Sequence, residues 1–598
     1  MSALKIGNVL RAGLMAWAMF MDLNVRSGDN YVNIGQSLVG TSGAVALAAL
    51  VCLLALSWAD ERLPKAGLRV RLAALFLGVW QVIAVSVVNT NDLNQPFLSG
   101  SQKLKAAVLA LGMASLFELL FRLLEAGLDG RLDLRIQRDG ALRRAYRAHT
   151  LLLCMAAVLL CWLPHLAVSY PASMNSDTQS QFDQILGLLP WSKHHPTLLA
   201  FFLLGTTRLG HALGSGNAGL FAYVLVQAVF AAAVIGYSQW IMRRLCAPVW
   251  LRALSLALCA FAPVYCDNIT VILKDVPYSY AMLLMLCEMV RQRFLEKESD
   301  GFSAGFVLRM TLSAFLMLRM RPNGAMVWIP ICAALFLGTR GRKRRAAIAA
   351  VAALPLLLGA GFDAAFDARF HPQAASLGEA LSLPFQQTAR CLLAYPDDVT
   401  ESELRAVSAV LDVENGVPNY DPRLADPVKD TSSPDLSGRL GPYMKAWLSM
   451  GMRHPGVYLD AWLNMIYGYF YPSDSNTIVC LTLNSPDAGG VALRQSPALS
   501  DARLELHNRI YFTLRRIPGV GWLFYVDSVV WVFLLLLAAL VLRDGLRAAV
   551  PYMFFFGTLG VCLLSPKSGE IRYLMPILYI LPVMLGAALL SPRKEEKP

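Results

Sequence analysis

Between Tyr170 and Pro196 the chain packs Asp177, Gln179, Gln181, Asp183, Lys193, His194 and His195 into one short polar stretch. It follows directly on an apolar segment of membrane length, Leu151 to Val168. A carboxylate can take a proton from a hydroxyl or hold a divalent cation, an imidazole can move a proton, and an amide can orient a polar substrate. A hydrophobic helix that empties into such groups reads as a reaction centre at a membrane surface. Solvated loops between spans have a similar composition, so the rest of the chain must decide between the two.

Three other short clusters carry charge at the ends of apolar runs. Lys274-Asp275 reads either as an ion pair at a helix end or as part of a site. Arg319, Arg321 and Asn323 surround a helix break at Pro322 and Gly324. Two arginines at i and i+2 do not share a helical face, but the break can re-aim one of them. Lys567, Glu570 and Arg572 form the third cluster. Arg321 and Arg572 also read as anchors that reach from a span to the membrane surface. As a set, the clusters combine carboxylates for acid–base work with cations suited to phosphate.

These groups must be positioned by membrane helices. The chain has 598 residues, of which 56% are hydrophobic and 16% charged. Apolar runs of roughly 17–25 residues recur along it, the pattern of a multi-span helical protein. The N-terminal apolar run carries Arg11 and is followed by no small-residue cleavage site, so it does not read as a signal peptide. The net charge of +12 is unevenly spread. Between Asp363 and Arg516 there are 18 acidic and 13 basic residues, and the excess of basic residues lies in short loops elsewhere. That is the positive-inside pattern and speaks against a nucleic-acid partner.

Counting arginines and lysines in the loops gives an all-α integral membrane protein with about 14 spans and both termini in the cytoplasm. Residues 1–148 hold four spans and a basic segment. Residues 149–362 form a transmembrane core whose first external loop is 170–196. Residues 363–521 form an extracytoplasmic α-rich domain, and residues 522–598 hold three last spans and a tail. Thr197–Leu213 contains Arg208 and His211 and reads as a helix lying on or re-entering the outer face. Thr400 and Glu403 have the spacing of a capping box. Glu118 within the fourth span has Arg122 at i+4 and is expected to pair with it. The 11 cysteines show no metal-binding spacing; Cys391 and Cys480 in the polar segment are candidates for a disulfide.

Alternating spans, an acid-bearing first external loop and a late external domain resemble the GT-C class of membrane glycosyltransferases. The short motifs Asp177-x-x-x-Gln181, His194-His195-Pro196, Lys274-Asp275, Pro384-x-Gln386-Gln387-x-x-Arg390 and Arg572-Tyr573-x-x-Pro576 are similar to those of bacterial multi-pass membrane proteins. The likeness covers residues from about 150 to 590. It implies transfer of a sugar from a polyprenyl-phosphate carrier to an extracytoplasmic glycan or lipid acceptor, with inversion at the anomeric carbon. It also implies Asp177 as the catalytic carboxylate, with Asp183, His194 and His195 around it. Lys274, Arg319, Arg321, Lys567 and Arg572 are then candidates for the donor phosphate. Gln181, Asp275, Asn323, Gln387, Arg390 and Glu570 are candidates for substrate binding. The loop lacks the paired acids of many GT-C members, so a role for Asp177 as ligand of Mg or Mn stays open beside its role as base. A multi-pass transporter or lipid-linked glycan flippase is the alternative, though transporters place ionisable groups near the bilayer midplane and these lie at helix ends.

Overall fold

The computed structural model describes residues 6–21, 23, 34–39, 44–90, 92–128, 141–296, 301–375, 377–436, 438–472, 497–517, 520–545 and 552–589. Cys480, and most of the basic segment and tail assigned to the cytoplasm, lie outside the described residues.

Among the described residues, the regular structure apart from one pair of two-residue strands is helical. Seven helices among the described residues are long and apolar enough to cross a membrane: Leu68–Val87, Gly100–Leu128, Tyr146–Val168, Gly216–Arg244, Arg342–Phe370, Val526–Arg543 and Ile571–Ala588. An eighth is reached if Val249–Phe261 and Pro263–Thr270, bent by 56°, count as one span. This is an all-α membrane protein. The other runs expected to span fall on helices that are shorter or more charged: Ile6–Met19, Val45–Arg62, Asp275–Phe294, Ala304–Met320, Gly324–Gly338 and Met553–Leu563. Thr197–Ala212 is a 16-residue helix packed on Gly216–Arg244 and on Ser176–Ile185.

Helices that share an apolar solvent gain little from hydrophobicity when they meet, so close packing over small residues decides their contacts. Gly236 shows this. A Cβ there would lie 2.5 Å from the carbonyl oxygen of Leu151, so its helix runs hard against Ala141–Val168, which leads into the Asp177 loop.

The helices Ile6–Met19, Val45–Arg62, Leu68–Thr90 and Gly100–Leu128 pack on one another and meet later elements at, among others, Trp80 on Phe470 and Phe117 on Trp531. Within them the expected Glu118–Arg122 pair does not form. Glu118 faces Arg11 at 3.3 Å. Arg122 crosses to Asp60 at 2.8 Å and donates to the carbonyls of Ala59 and Pro64. The carbonyl-rich C-terminus of Val45–Arg62 offers a buried guanidinium several acceptors at once, more than a single carboxylate one turn away.

A second, smaller core lies between Phe385 and Tyr458, with Val407, Leu411, Tyr443 and Met450 at its centre. The capping box forms as the spacing indicates and opens the helix Glu401–Ser408. The preceding span continues past residue 362 to Phe370 and stops at His371, which is left-handed with φ 48°. The later helix Pro497–Arg515 packs on Ala141–Val168 and Pro263–Cys266 among the spans.

Candidate functional site

The site is built on the two-residue strands β1 (Ser173–Met174) and β2 (Val271–Ile272). They pair in parallel, Ser173 with Val271 and Met174 with Ile272. Just beyond β1, Asn175 caps the helix Ser176–Ile185 by accepting from the Thr178 N–H. The Thr178 hydroxyl donates to the Ile272 carbonyl at 2.6 Å, which ties the first turn of that helix to β2. Asp177 in this turn and Lys274, two residues past β2, therefore meet: Lys274 Nζ donates to Asp177 Oδ2 at 2.8 Å.

Arg572, at the start of Ile571–Ala588, lies 3.5 Å from the same oxygen and 3.6 Å from Glu570. Glu570 also pairs with Lys567 at 2.9 Å. Their loop is held by residues 423–462 of the chain. Ala425 N–H donates to the Pro566 carbonyl, Ser568 N–H to the Arg423 carbonyl, and Trp462 Nε1 to the Leu563 carbonyl. Behind this layer Arg321 is buried, 2.9 Å from Asp275 and 4.6 Å over the Tyr573 ring, whose other near cation is Arg572 at 5.9 Å. The adjacent residues Lys274 and Asp275 thus do not pair as a local helix-end couple; one faces Asp177 and the other Arg321.

Burial alone would raise the Asp177 carboxyl. The charge and hydrogen bond of Lys274, then the charge of Arg572, outweigh it and hold the group well below the usual carboxylate range. Burial and the nearby Lys274 charge push the His195 imidazole down to about 4, against the opposite pull of Asp177. At neutral pH the site holds a carboxylate, two cations and a neutral imidazole. The Nδ1 of that imidazole is buried without a hydrogen-bond partner among the described residues.

Other candidates fall elsewhere. Gln181 is buried and donates to the Pro196 carbonyl, fixing the loop to the helix. Asp183 accepts from Gln179 on the same helix. His194 stacks edge-on against His195 but turns towards Glu379 at 3.9 Å. Arg319 pairs with Asp363, so the Pro322 break sends the two arginines to different partners. Asn323 is exposed at that break. Gln387 bonds Tyr458 and Trp447 within the second core region, and Arg390 lies 3.8 Å from Asp460.

A divalent ion on Asp177 does not suit this donor set. Its carboxylate is engaged by cations, and among the described residues no group of three or more His, Cys, Asp or Glu could hold a metal ion.

The structure holds a second ionisable cluster that the sequence reading did not single out. Asp267 is buried between His507, whose Nδ1 hydrogen-bonds Oδ2, and His165, whose Nδ1 lies 3.3 Å from Oδ1. Its members come from three distant stretches, each with one lone residue and no shared motif. A lone acid after an apolar run, at Asp267, was the one available signal.

Fold and site together define a helical membrane protein with a carboxylate–cation cluster where several helix ends converge. Within that class the chain belongs to DUF6020, a family of unknown function, whose model matches residues 188–597. The match takes in His195, Lys274, Arg321 and Arg572, and begins after Asp177. No curated protein and no solved structure matches the chain.

Proposed function

We propose that the protein is a membrane glycosyltransferase that moves a sugar from a polyprenyl-phosphate carrier to a glycan or lipid acceptor on the extracytoplasmic face. The observation that carries this reading is Asp177 held against Lys274 and Arg572, with His195, its Nδ1 buried and without a hydrogen-bond partner among the described residues, beside it. The four groups supply what the reaction needs: an anionic base, two cations for a leaving phosphate, and an imidazole that carries no charge into the site.

In this reading the donor phosphate takes Lys274 and Arg572 as partners. Asp177 then loses part of the positive field that depresses its basicity and can accept the acceptor hydroxyl's proton. The acceptor oxygen bonds to the anomeric carbon as the bond from that carbon to the phosphate oxygen breaks. The electron pair leaves with the phosphate, where the two cations stabilise it. Attack opposite the leaving group inverts the anomeric centre. Arg321, compensated by Asp275 and stacked on Tyr573, holds Tyr573 and so supports Arg572 rather than meeting the phosphate itself.

The topology that goes with this reading has about 14 spans, a GT-C-like core, cytoplasmic termini and the Asp177 cluster outside a cell membrane. Cysteines placed at Ser176 and Ser433 are expected to react with an impermeant thiol reagent on spheroplasts, and one at Thr339 after lysis alone. Labelling of Ser176 and Ser433 from opposite sides would remove the shared face. The reaction itself is tested with extracted protein and a radiolabelled polyprenyl-phosphate sugar. Release of sugar from the lipid by the wild type supports the reading; intact donor with every acceptor extract tried counts against it.

A further inference from the structure

The segments that bring Asp177 and Lys274 together are clamped a second time. From His165 the chain runs through β1 to Asp177, and from Asp267 through β2 to Lys274. Between the two clamps lies a parallel ladder of two residue pairs. So short a ladder is marginal by itself, and parallel pairing is the weaker kind. Its register has to be set from both ends.

At the inner end the fixed points are polar and buried. Gln227 donates to the carbonyls of Ile269 and Val271 at 3.0 and 2.9 Å. Asp267 is 2% exposed; His507 Nδ1 hydrogen-bonds its Oδ2, and His165 Nδ1 lies 3.3 Å from its Oδ1. Burying a carboxylate is costly unless it is well partnered, and replacing the whole carboxylate–imidazole cluster by packed apolar residues would serve stability as well. An apolar contact, however, lets helices slide, whereas a buried carboxylate hydrogen-bonded to one imidazole and in close contact with a second holds both to short polar distances. His165 belongs to Ala141–Val168 and His507 to Pro497–Arg515, so three separate elements meet at this carboxylate.

We propose that Asp267, gripped by His165 and His507, is a positioning residue that sets the register of β1 on β2 and thereby the Asp177–Lys274 contact. The helix Pro497–Arg515 acts on the site through His507. The proposal takes the Asp177 cluster as the functional site of the preceding reading, but its geometric content can be measured without any activity.

The test compares His507→Asn with His507→Gln in the full chain. Asn carries its amide donor where Nδ1 stands, and Gln carries it where Nε2 stands. Hydrogen exchange by mass spectrometry is read over residues 173–178 and 271–276. Asn is expected to match wild type, while Gln and Asp267→Asn exchange at least about tenfold faster there. Asn and Gln giving the same exchange, both protected or both loosened, overturns the proposal. Transfer from the labelled donor is measured in parallel. If exchange follows the expectation and the wild type transfers nothing, the glycosyltransferase reading falls and the positioning role stands. If the wild type transfers and Gln matches it in both measurements, the positioning role falls.

Discussion

Two carboxylates sit at the two ends of the same strand pair, and their surroundings differ in kind. Asp177 keeps 29% of its side chain exposed and faces Lys274 and Arg572. Asp267 is sealed and faces two imidazoles. Cations on long flexible stems can turn to an incoming anion, so the first site can exchange partners with a ligand. Imidazoles on short stems inside the helix bundle cannot, so the second can only hold its place. Exposure and the type of partner are what set the proposed role of Asp177 apart from that of Asp267.

The comparison breaks most sharply at Asp177. On the proposed reading, Asp177→Asn removes the base and keeps the shape, so transfer is expected to fall by roughly 10²–10⁴-fold in kcat with the protein still extractable and able to bind the lipid donor. Near-normal transfer by this variant, together with loss in Asp183→Asn, would move the catalytic role to Asp183. At the other end, Asp267→Leu strands two buried imidazoles and should lower stability by about 3 kcal/mol, read as thermal unfolding in detergent; an unchanged midpoint would mean the clamp is dispensable.

Lys274→Ala and Arg572→Ala each remove a charged hydrogen-bond donor and are expected to weaken the lipid donor by about 10–100-fold, measured as binding of labelled polyprenyl phosphate. Arg319→Ala should leave that affinity within about twofold, because Arg319 pairs with Asp363 away from the cluster. Equal losses in all three variants would mean a diffuse field rather than a site.

The smallest effect concerns pH. His195 is held down to about 4 from an ordinary value of 6.5, so the unfolded chain binds more protons than the folded one between those values. Its contribution to stability is therefore full above about 6.5 and is lost as pH falls to about 4. The unfolding midpoint should decline across that window, and less steeply in His195→Asn; equal slopes would show that His195 is as free to protonate as in the unfolded chain. Asp177, being held lower still, should add no acid limb to transfer between about pH 5 and pH 8.

Much of the molecule was legible without coordinates, where the governing physics is local. The helical membrane character follows from the length of the apolar runs. The helix at Glu401 follows from a side chain reaching three residues along its own chain. Asp177, Lys274 and Arg572 were singled out because charge at the end of an apolar run is costly and so draws attention. The local rule misjudged Glu118, whose neighbour Arg122 finds a better partner in Asp60 on a facing helix, and left the Lys274-Asp275 couple open, where Asp275 faces Arg321.

What the sequence determined by itself was therefore composition-driven: helices, their approximate ends, and which ionisable residues those ends expose. Tertiary structure alone decided which of them meet. Asp177 and Lys274 are 97 residues apart, and Asp267 and His507 are 240 apart. Contacts at such separations depend on the packing of whole helices, on a two-residue strand register and on close approaches such as that at Gly236. None of these leaves a periodic or spaced signal in the chain, because a single residue on each of several elements is enough to make them.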